Sequence, residues 1–159
     1  MTAPLIAGVE LGGTKCICVL ASGPDDVRDR VQIPTTTPEE TLGAVENVLR
    51  GWSHYDALGI ASFGPVSLDH TAPDYGSITA TTKPGWSNTD VGKRLASIGL
   101  VPTGFDSDVN GAALGEGRWG AAQDVADHAY ITVGTGVGVG LVLGHPPVAG
   151  VTHCEPGPN

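Results

Sequence analysis

Two glycine-dense joints, each set between two apolar runs, constrain the fold of this chain more than any other feature. The first lies in "GVELGGTKCICVLAS" and the second in "YITVGTGVGVGLVLG". Short apolar runs joined by adjacent glycines predict two β-hairpins. Glycine turns can point successive backbone N–H groups at one anion, and hydroxyl and lysine side chains beside them favour phosphate. Any tight hairpin also needs turn glycines, so on these residues alone both interpretations stay open.

The pattern of the remaining chain predicts an α/β architecture. "VRDRVQI" is a third strand at the edge of the first hairpin. Residues 38–52 form a helix that Thr37 precedes and Pro38 begins. "ALGIASFG" is a buried strand that ends at Gly64-Pro65, and an irregular loop follows over residues 66–84. "TDVGKRLASIGL" is a helix, "PTGFDSD" a short strand and "VNGAALGEGRWG" a helix of small residues that Asp108 caps.

Charge and composition exclude some classes of function. The net charge of −9 repels a polyanionic backbone, so we expect no nucleic acid partner, although a small anion can still bind to local N–H groups. Residues 129–152 carry no Asp, Glu, Lys or Arg, but their glycines and prolines disfavour a spanning helix, so we expect a buried hairpin and no membrane partner. The three cysteines are interpreted as core residues, and without a secretory leader the expected location is the cytoplasm.

The glycine joints do not match the best-known phosphate motifs. GxxxxGK[ST] is absent, and "GTGVGVG" has Val139 where GxGxxG requires its last glycine. The candidate phosphate-binding residues are therefore those of the turns themselves. In the first turn they are Gly12, Gly13, Thr14 and Lys15, and in the second Gly134, Thr135 and Gly136.

"FDSDVNGAALGE" and "THCEPG" hold the candidate catalytic and binding side chains. Asp108 stands at the end of a buried strand, where it either accepts a proton from a substrate hydroxyl or only caps the helix. Asn110 either orients that hydroxyl or is a first-turn polar residue. His153 and Glu155 either bind vicinal sugar hydroxyls or form a polar tail, and they lack partners at metal-ligand spacing, so no metal site is assigned.

Six motifs in this order resemble the bacterial ROK family of sugar kinases, with "ITATTKPGW" most like the fructokinase branch. They are "GVELGGTK", "GIASFGPV", "GSITATTKPGW", "DSDVNGAALGE", "YITVGTGVGVG" and "GVTHCEPG". The resemblance covers the chain as the N-terminal half of such a protein. It implies an actin-like, hexokinase-type (ribonuclease H-like) ATPase fold, truncated in its second lobe, with residues 1–107 as the N-terminal α/β lobe and residues 108–159 as an incomplete start of the second.

The resemblance also implies the activity and the roles of the residues. ATP with Mg²⁺ phosphorylates a hexose, with fructose to fructose 6-phosphate as the expected reaction, in a protein whose full-length relatives are homodimeric. Asp108 is then the catalytic base, the two glycine turns hold the ATP phosphates, and the sugar contacts are Gly64, Pro65, Asn110, His153 and Glu155.

The same resemblance defines the departures and the alternatives. Pro158 stands where the family has a zinc-binding histidine, so we expect that the family's zinc site is not completed and that the isolated chain is an inactive fragment. The alternatives are glucokinase or mannokinase specificity, the non-catalytic sugar-binding domain of a ROK-type repressor, and an unrelated α/β binding module. A repressor would carry a basic helix-turn-helix ahead of the first hairpin, and the chain begins only a few residues before it.

Overall fold

A computed structural model describes residues 3–134 and 136–148 of the chain. Thr135, His153 and Glu155, together with Cys154 and Pro158, lie outside the described residues. The elements follow in the order β1 (Ile6–Leu11), β2 (Lys15–Gly23), β3 (Asp26–Pro34), α1 (Pro38–Gly51), β4 (Ala57–Ser62), β5 (Ser77–Ile78), β6 (Thr89–Asp90), α2 (Gly92–Gly99), β7 (Thr103–Ser107), α3 (Asp108–Trp119), β8 (His128–Val133) and β9 (Val137–Val142).

Five of these strands form one mixed sheet in the order β3-β2-β1-β4-β7. The hairpin β1–β2 and the edge strand β3 are antiparallel, as their short glycine and turn connections require. The strands β1, β4 and β7 run parallel, with helices in the connections between them. The predicted α/β class, the first hairpin and the edge strand are confirmed.

Helix α1 shows why its start was predictable from the sequence. The Thr37 side chain accepts a hydrogen bond from the Glu40 N–H, Pro38 begins the helix, and Glu39 and Glu40 lie in the first turn beside the positive end of the helix dipole. Leu42, Val45 and Leu49 are buried at helical spacing. They pack with Leu95 of α2 in the core that covers one face of the sheet.

Buried side chains alternate along the sheet and fill this covered face. Cys16 and Cys18 are both buried there, which confirms them as core residues. The Cys16 thiol donates a hydrogen bond to Cys18, and this bond together with burial raises the pKa of Cys16, so that its thiol stays protonated at neutral pH.

Trp86 anchors the irregular segment between β4 and α2. Its ring is fully buried, its Nε1 donates to the Thr36 carbonyl at 2.8 Å, and it meets Phe63 edge to face with ring centroids 5.3 Å apart. Full burial makes Trp86 a core residue.

The second hairpin, β8–β9, forms as predicted but is buried on one face only. Gly138, Gly140 and Val142 face the inside, whereas Ile131 is 61% exposed and Val133 78% exposed on the outer face. The expectation of a buried hairpin is therefore wrong for the outer face. Among the described residues, no helix has the length and apolar character needed to cross a bilayer.

An ion-pair network joins the two helices that cover the sheet. The Arg94 guanidinium of α2 binds both carboxylate oxygens of Glu39, at 2.8 and 2.9 Å, and also donates from Nε to Glu46 of α1. The hydrogen bond from Arg94 lowers the pKa of the Glu46 carboxyl below its ordinary value. The Arg94–Glu46 pair is less exposed than the Arg94–Glu39 pair, so it contributes more to the stability of the fold.

We expect Arg94→Met to reduce the free energy of unfolding by about 1–2 kcal/mol at neutral pH, because Glu46 then keeps only its ion pair with the exposed Arg50. The folded-state pKa of Glu46 is lowered, so this contribution is present above the ordinary glutamate range and is lost as the pH falls below about 4. Urea unfolding at neutral pH and at a pH below about 4 measures the change in the free energy of unfolding. Arg28→Met, which removes an exposed pair with Asp26, is the matched control and should cause no measurable loss. Equal effects at both pH values would contradict the assignment.

Candidate active site

Three parallel strands end at the same level of the sheet. Leu11 of β1 is in register with Ser62 of β4, and Ser62 is in register with Ser107 of β7. The Phe63 N–H extends the ladder by donating to the Leu11 carbonyl at 2.7 Å. The segments that follow these ends are the first glycine turn, Gly64-Pro65 and the start of α3. Carboxyl ends of parallel strands are the usual place for ligand sites in α/β folds, and three predicted groups meet there.

The first glycine turn is held closed by its own backbone and by Thr35. The Gly12 N–H donates to the Lys15 carbonyl at 3.0 Å, and the Gly12 carbonyl accepts from the Thr35 hydroxyl at 2.8 Å. A Cβ at Gly12 would lie 2.8 Å from the Lys15 carbonyl oxygen, so this position requires glycine. Gly13, Thr14 and Lys15 are exposed, and open space surrounds Gly13. The turn thus presents bare backbone and one cation to solvent.

Gly64-Pro65 forms the second segment at this edge. The peptide bond between them is cis, Gly64 is buried, and the Pro65 carbonyl accepts from both the N–H and the hydroxyl of Thr79, at 2.7 and 3.1 Å. These bonds fix the turn against the irregular segment. Contact of Gly64 and Pro65 with a sugar stays a prediction.

Ser107, not Asp108, caps α3. The Ser107 hydroxyl accepts from the Asn110 N–H at 3.2 Å, while Asp108 is the first residue of the helix and is half-buried. The expectation that Asp108 caps the helix is therefore wrong. One Asp108 carboxylate oxygen accepts from the Val109 N–H at 2.9 Å, next to the positive end of the helix dipole. The cap is supplied by another residue, so the Asp108 carboxylate is not needed for it.

Asn110 is oriented by a residue that the sequence analysis did not assign. Its side-chain Nδ2 donates to Asp106 at 2.8 Å, and the same Asp106 oxygen accepts from the Ser107 N–H at 2.7 Å. Asn110 is buried, and its Oδ1 finds no partner among the described residues. A buried acceptor without a partner is costly, so a ligand hydroxyl that donates to it would be stabilising.

The second glycine turn belongs to a hairpin that packs on Val109, the residue after Asp108. Gly134 and Gly136 are exposed, and the Gly134 N–H donates to the Gly136 carbonyl at 2.8 Å. Further along β9, a Cβ at Gly138 would lie 2.7 Å from Val109 Cγ1, and one at Gly140 only 2.1 Å from the Val109 carbonyl oxygen. Strand β9 therefore sits directly on the first turn of α3, where only glycine fits.

Two further carboxylates lie at this edge and were not identified as site residues. Glu10 of β1 and Asp106 of β7 flank Ala61 of β4 in register, on the face of the sheet away from α1 and α2. Both line a cavity of about 680 Å³ together with Asp108. The sequence could have indicated Glu10 as a site residue, because this acidic residue interrupts an apolar strand just before the glycine turn.

The sequence model of the ROK family matches residues 6–157. This chain belongs to the ROK family. It is 44% identical over 154 residues to a fructokinase from Pediococcus pentosaceus, covering 96% of this chain and 53% of that protein. It is 43% identical over 154 residues to a fructokinase from Zymomonas mobilis, covering 94% of this chain and 51% of that protein.

The fold agrees with that membership. A ROK family glucokinase from Streptomyces griseus, solved with glucose and AMPPNP, superposes with a TM-score of 0.78 at 26% identity, covering 94% of this chain and 47% of that one. The predicted actin-like α/β fold is confirmed. The chain spans about half the length of the curated relatives it matches.

We expect Gly140→Ala to detach the second hairpin from α3, because its methyl group would collide with the Val109 carbonyl. Such overpacking should cost about 1–3 kcal/mol in local opening free energy. Amide hydrogen exchange across β8 and β9 measures it. Gly136→Ala, at an exposed glycine with nothing within 4 Å of its Cβ, is the control and should leave exchange unchanged. Equal exchange in both variants would show that the close approach does not hold the hairpin.

Proposed function

We propose that this chain is the sugar- and phosphate-binding half of an ATP-dependent hexose kinase, with fructose as the preferred hexose. The observation that carries the proposal is the register that ends β1, β4 and β7 together, because it gathers a glycine turn, a tight proline turn and a carboxylate at one edge. Fructose is favoured over glucose because the fructokinases from Pediococcus pentosaceus and Zymomonas mobilis are 43–44% identical, whereas the Streptomyces griseus glucokinase is 26% identical.

The reaction needs few groups from the protein. The sugar hydroxyl oxygen attacks the γ-phosphorus of ATP, its proton passes to the Asp108 carboxylate, and the bond from the γ-phosphorus to the bridging oxygen breaks to release ADP. Lys15 and the backbone N–H groups of residues 12–14 would bind phosphate oxygens at the first turn. Residues 134–136 would do so at the second. The Asn110 Oδ1 would accept a hydrogen bond from a sugar hydroxyl, and the bond from Nδ2 to Asp106 would hold the amide in this orientation.

Magnesium would enter with the nucleotide. Within residues 3–134 and 136–148, no group of three His, Cys, Asp or Glu side chains is arranged to hold a metal ion. Mg²⁺ in phosphoryl-transfer sites needs only one or two carboxylates besides phosphate oxygens and water. Glu10 supplies one carboxylate beside the cavity that Asp108 also lines, and the donor set therefore fits without the catalytic base. When bound, Mg²⁺ neutralises charge on the transferred phosphoryl group.

The division into lobes forms part of this proposal. The large sheet closes with β7 at Ser107, and β8–β9 is a separate sheet. We assign residues 1–107 to the N-terminal lobe and residues 108–159 to the start of the second, with α3 in contact with both sheets. His153 and Glu155 keep their predicted role as sugar contacts.

We expect Gly12→Ala to weaken binding of AMPPNP with Mg²⁺ about tenfold or more, because the added methyl pushes the Lys15 carbonyl out of the turn. Isothermal titration calorimetry on the purified chain measures the affinity. Gly13→Ala, which has open space, is the matched control and should change the affinity less than about threefold. Circular dichroism confirms that both variants fold. Equal affinities, or no binding by the unchanged chain, would contradict the phosphate role of this turn.

We expect Asp108→Asn to reduce turnover about 10²–10⁴-fold, because the amide cannot accept the proton of the sugar hydroxyl. Asn retains an oxygen for the Val109 N–H, so the helix start is preserved. The assay is ADP release with fructose, mannose and glucose, on this chain co-expressed with the part of the Pediococcus pentosaceus fructokinase beyond the aligned segment.

Asp124→Asn, at an exposed loop carboxylate, is the control for the Asp108 experiment and should retain turnover. Turnover by Asp108→Asn at the control rate would remove the assigned base. Sugar binding without ADP release by the unchanged protein would favour the sugar-binding domain of a repressor.

A further inference from the structure

Thr35 bonds to two carbonyl groups of the first glycine turn. It follows the end of β3 and is buried. Its N–H donates to the Thr14 carbonyl at 2.9 Å, and its hydroxyl donates to the Gly12 carbonyl at 2.8 Å. The backbone bond continues the pairing of β2 with β3, and any residue except proline could make it. The second bond needs a side chain with a short donor, so it depends on the threonine.

The Thr35 hydroxyl fixes the orientation of one peptide plane. The peptide bond between Gly12 and Gly13 is trans, so its N–H points away from its carbonyl. Because the Gly12 carbonyl is bonded to Thr35, the Gly13 N–H is directed to the opposite side. Gly13 is exposed, and a Cβ built on it would meet nothing within 4 Å. The hydroxyl thus keeps a bare backbone donor available to an anion.

This peptide plane needs an external support, because it lies between two glycines. Neither flanking residue has a Cβ to restrict its dihedral angles, so the plane can turn over at low cost unless a hydrogen bond holds it. The bond from the Gly12 N–H to the Lys15 carbonyl fixes the preceding peptide. The bond that the Gly12 carbonyl itself accepts comes from the Thr35 hydroxyl.

The next residue anchors Thr35 to the core. The Thr36 N–H donates to the Thr41 hydroxyl of α1 at 2.9 Å, and the Thr36 carbonyl accepts from Trp86 Nε1 at 2.8 Å. Thr41 and Trp86 are both buried. These bonds tie the chain after β3 to a helix and to the segment that precedes α2. Thr35 is therefore a fixed support for the turn.

We propose that Thr35 is a positioning residue for phosphate binding, and that its hydroxyl keeps the Gly13 N–H turned toward an incoming phosphate oxygen. The inference rests on the phosphate role proposed for this turn. Thr35 acts through the Gly12–Gly13 peptide, because its side chain is buried and its hydroxyl proton is used in the bond to the Gly12 carbonyl. Loss of the hydroxyl should therefore remove preorganisation of the turn and lower its affinity for phosphate.

The first test measures the affinity of the purified chain for AMPPNP with Mg²⁺ by isothermal titration calorimetry. Thr35→Val keeps the shape of the side chain without the donor and should weaken binding about fivefold or more. Thr35→Ser keeps the donor and should bind within about twofold of the unchanged chain. Thr103→Val is the matched control, because the Thr103 hydroxyl also donates to a backbone carbonyl, that of Val101 at 3.0 Å, but at the start of β7. It should change the affinity less than about twofold.

A second test observes the peptide plane without any nucleotide. In the unchanged chain and in Thr35→Ser, the Gly13 amide should give one sharp NMR signal. In Thr35→Val this signal should broaden or double, because the plane then exchanges between two orientations, while the signal of Gly51 at the end of α1 stays the same. Circular dichroism checks that each variant folds. If Thr35→Val does not fold, Thr35→Ala and Thr35→Ser replace the comparison, since they differ only by the hydroxyl oxygen.

Three results would overturn this inference and leave the phosphate role of the turn intact. They are equal affinities of Thr35→Val and Thr103→Val, binding by Thr35→Ser as weak as that by Thr35→Val, and a Gly13 signal that Thr35→Val does not change. Failure of the unchanged chain to bind AMPPNP would instead overturn the phosphate role itself, and this inference with it. The two failures are therefore distinguishable.

Discussion

The hydrogen-bonded register between β1, β4 and β7 is the constraint on which the candidate site depends. Because Leu11, Ser62 and Ser107 are paired residue by residue, the chain leaves the sheet three times at one level. A shift of one residue in either pairing would turn every side chain of a strand to the opposite face. Ser62 and Ser107 would then leave the core, and Asp106 and Glu10 would enter it, where an unpaired carboxylate is strongly unfavourable.

Much of this architecture could be predicted from local patterns. Glycine joints between short apolar runs identified both hairpins, and Thr37 followed by Pro38 identified the start of α1, because each signal is physical and local. The start of α3 could not be predicted in the same way. Ser and Asp are equally good caps, so only the tertiary pairing that makes Ser107 the last residue of β7 decides between Ser107 and Asp108.

Other features depend on contacts that no local pattern encodes. The glycines of "VGVGLVLG" indicated a hairpin, but only the packing of β9 on Val109 shows which face is covered. Asp106 had no assigned role, because its hydrogen bond to the Asn110 amide joins the end of a strand to the first turn of a helix. The burial of Trp86 also depends on tertiary packing, because its ring meets Phe63 edge to face.

The close approach of β9 to the first turn of α3 has a mechanical consequence. With no room for even a methyl group between Gly140 and the Val109 carbonyl, the strand cannot slide along the helix without breaking the contact. We therefore expect a displacement of the hairpin to carry the first turn of α3 with it, and with that turn the Asp108 carboxylate.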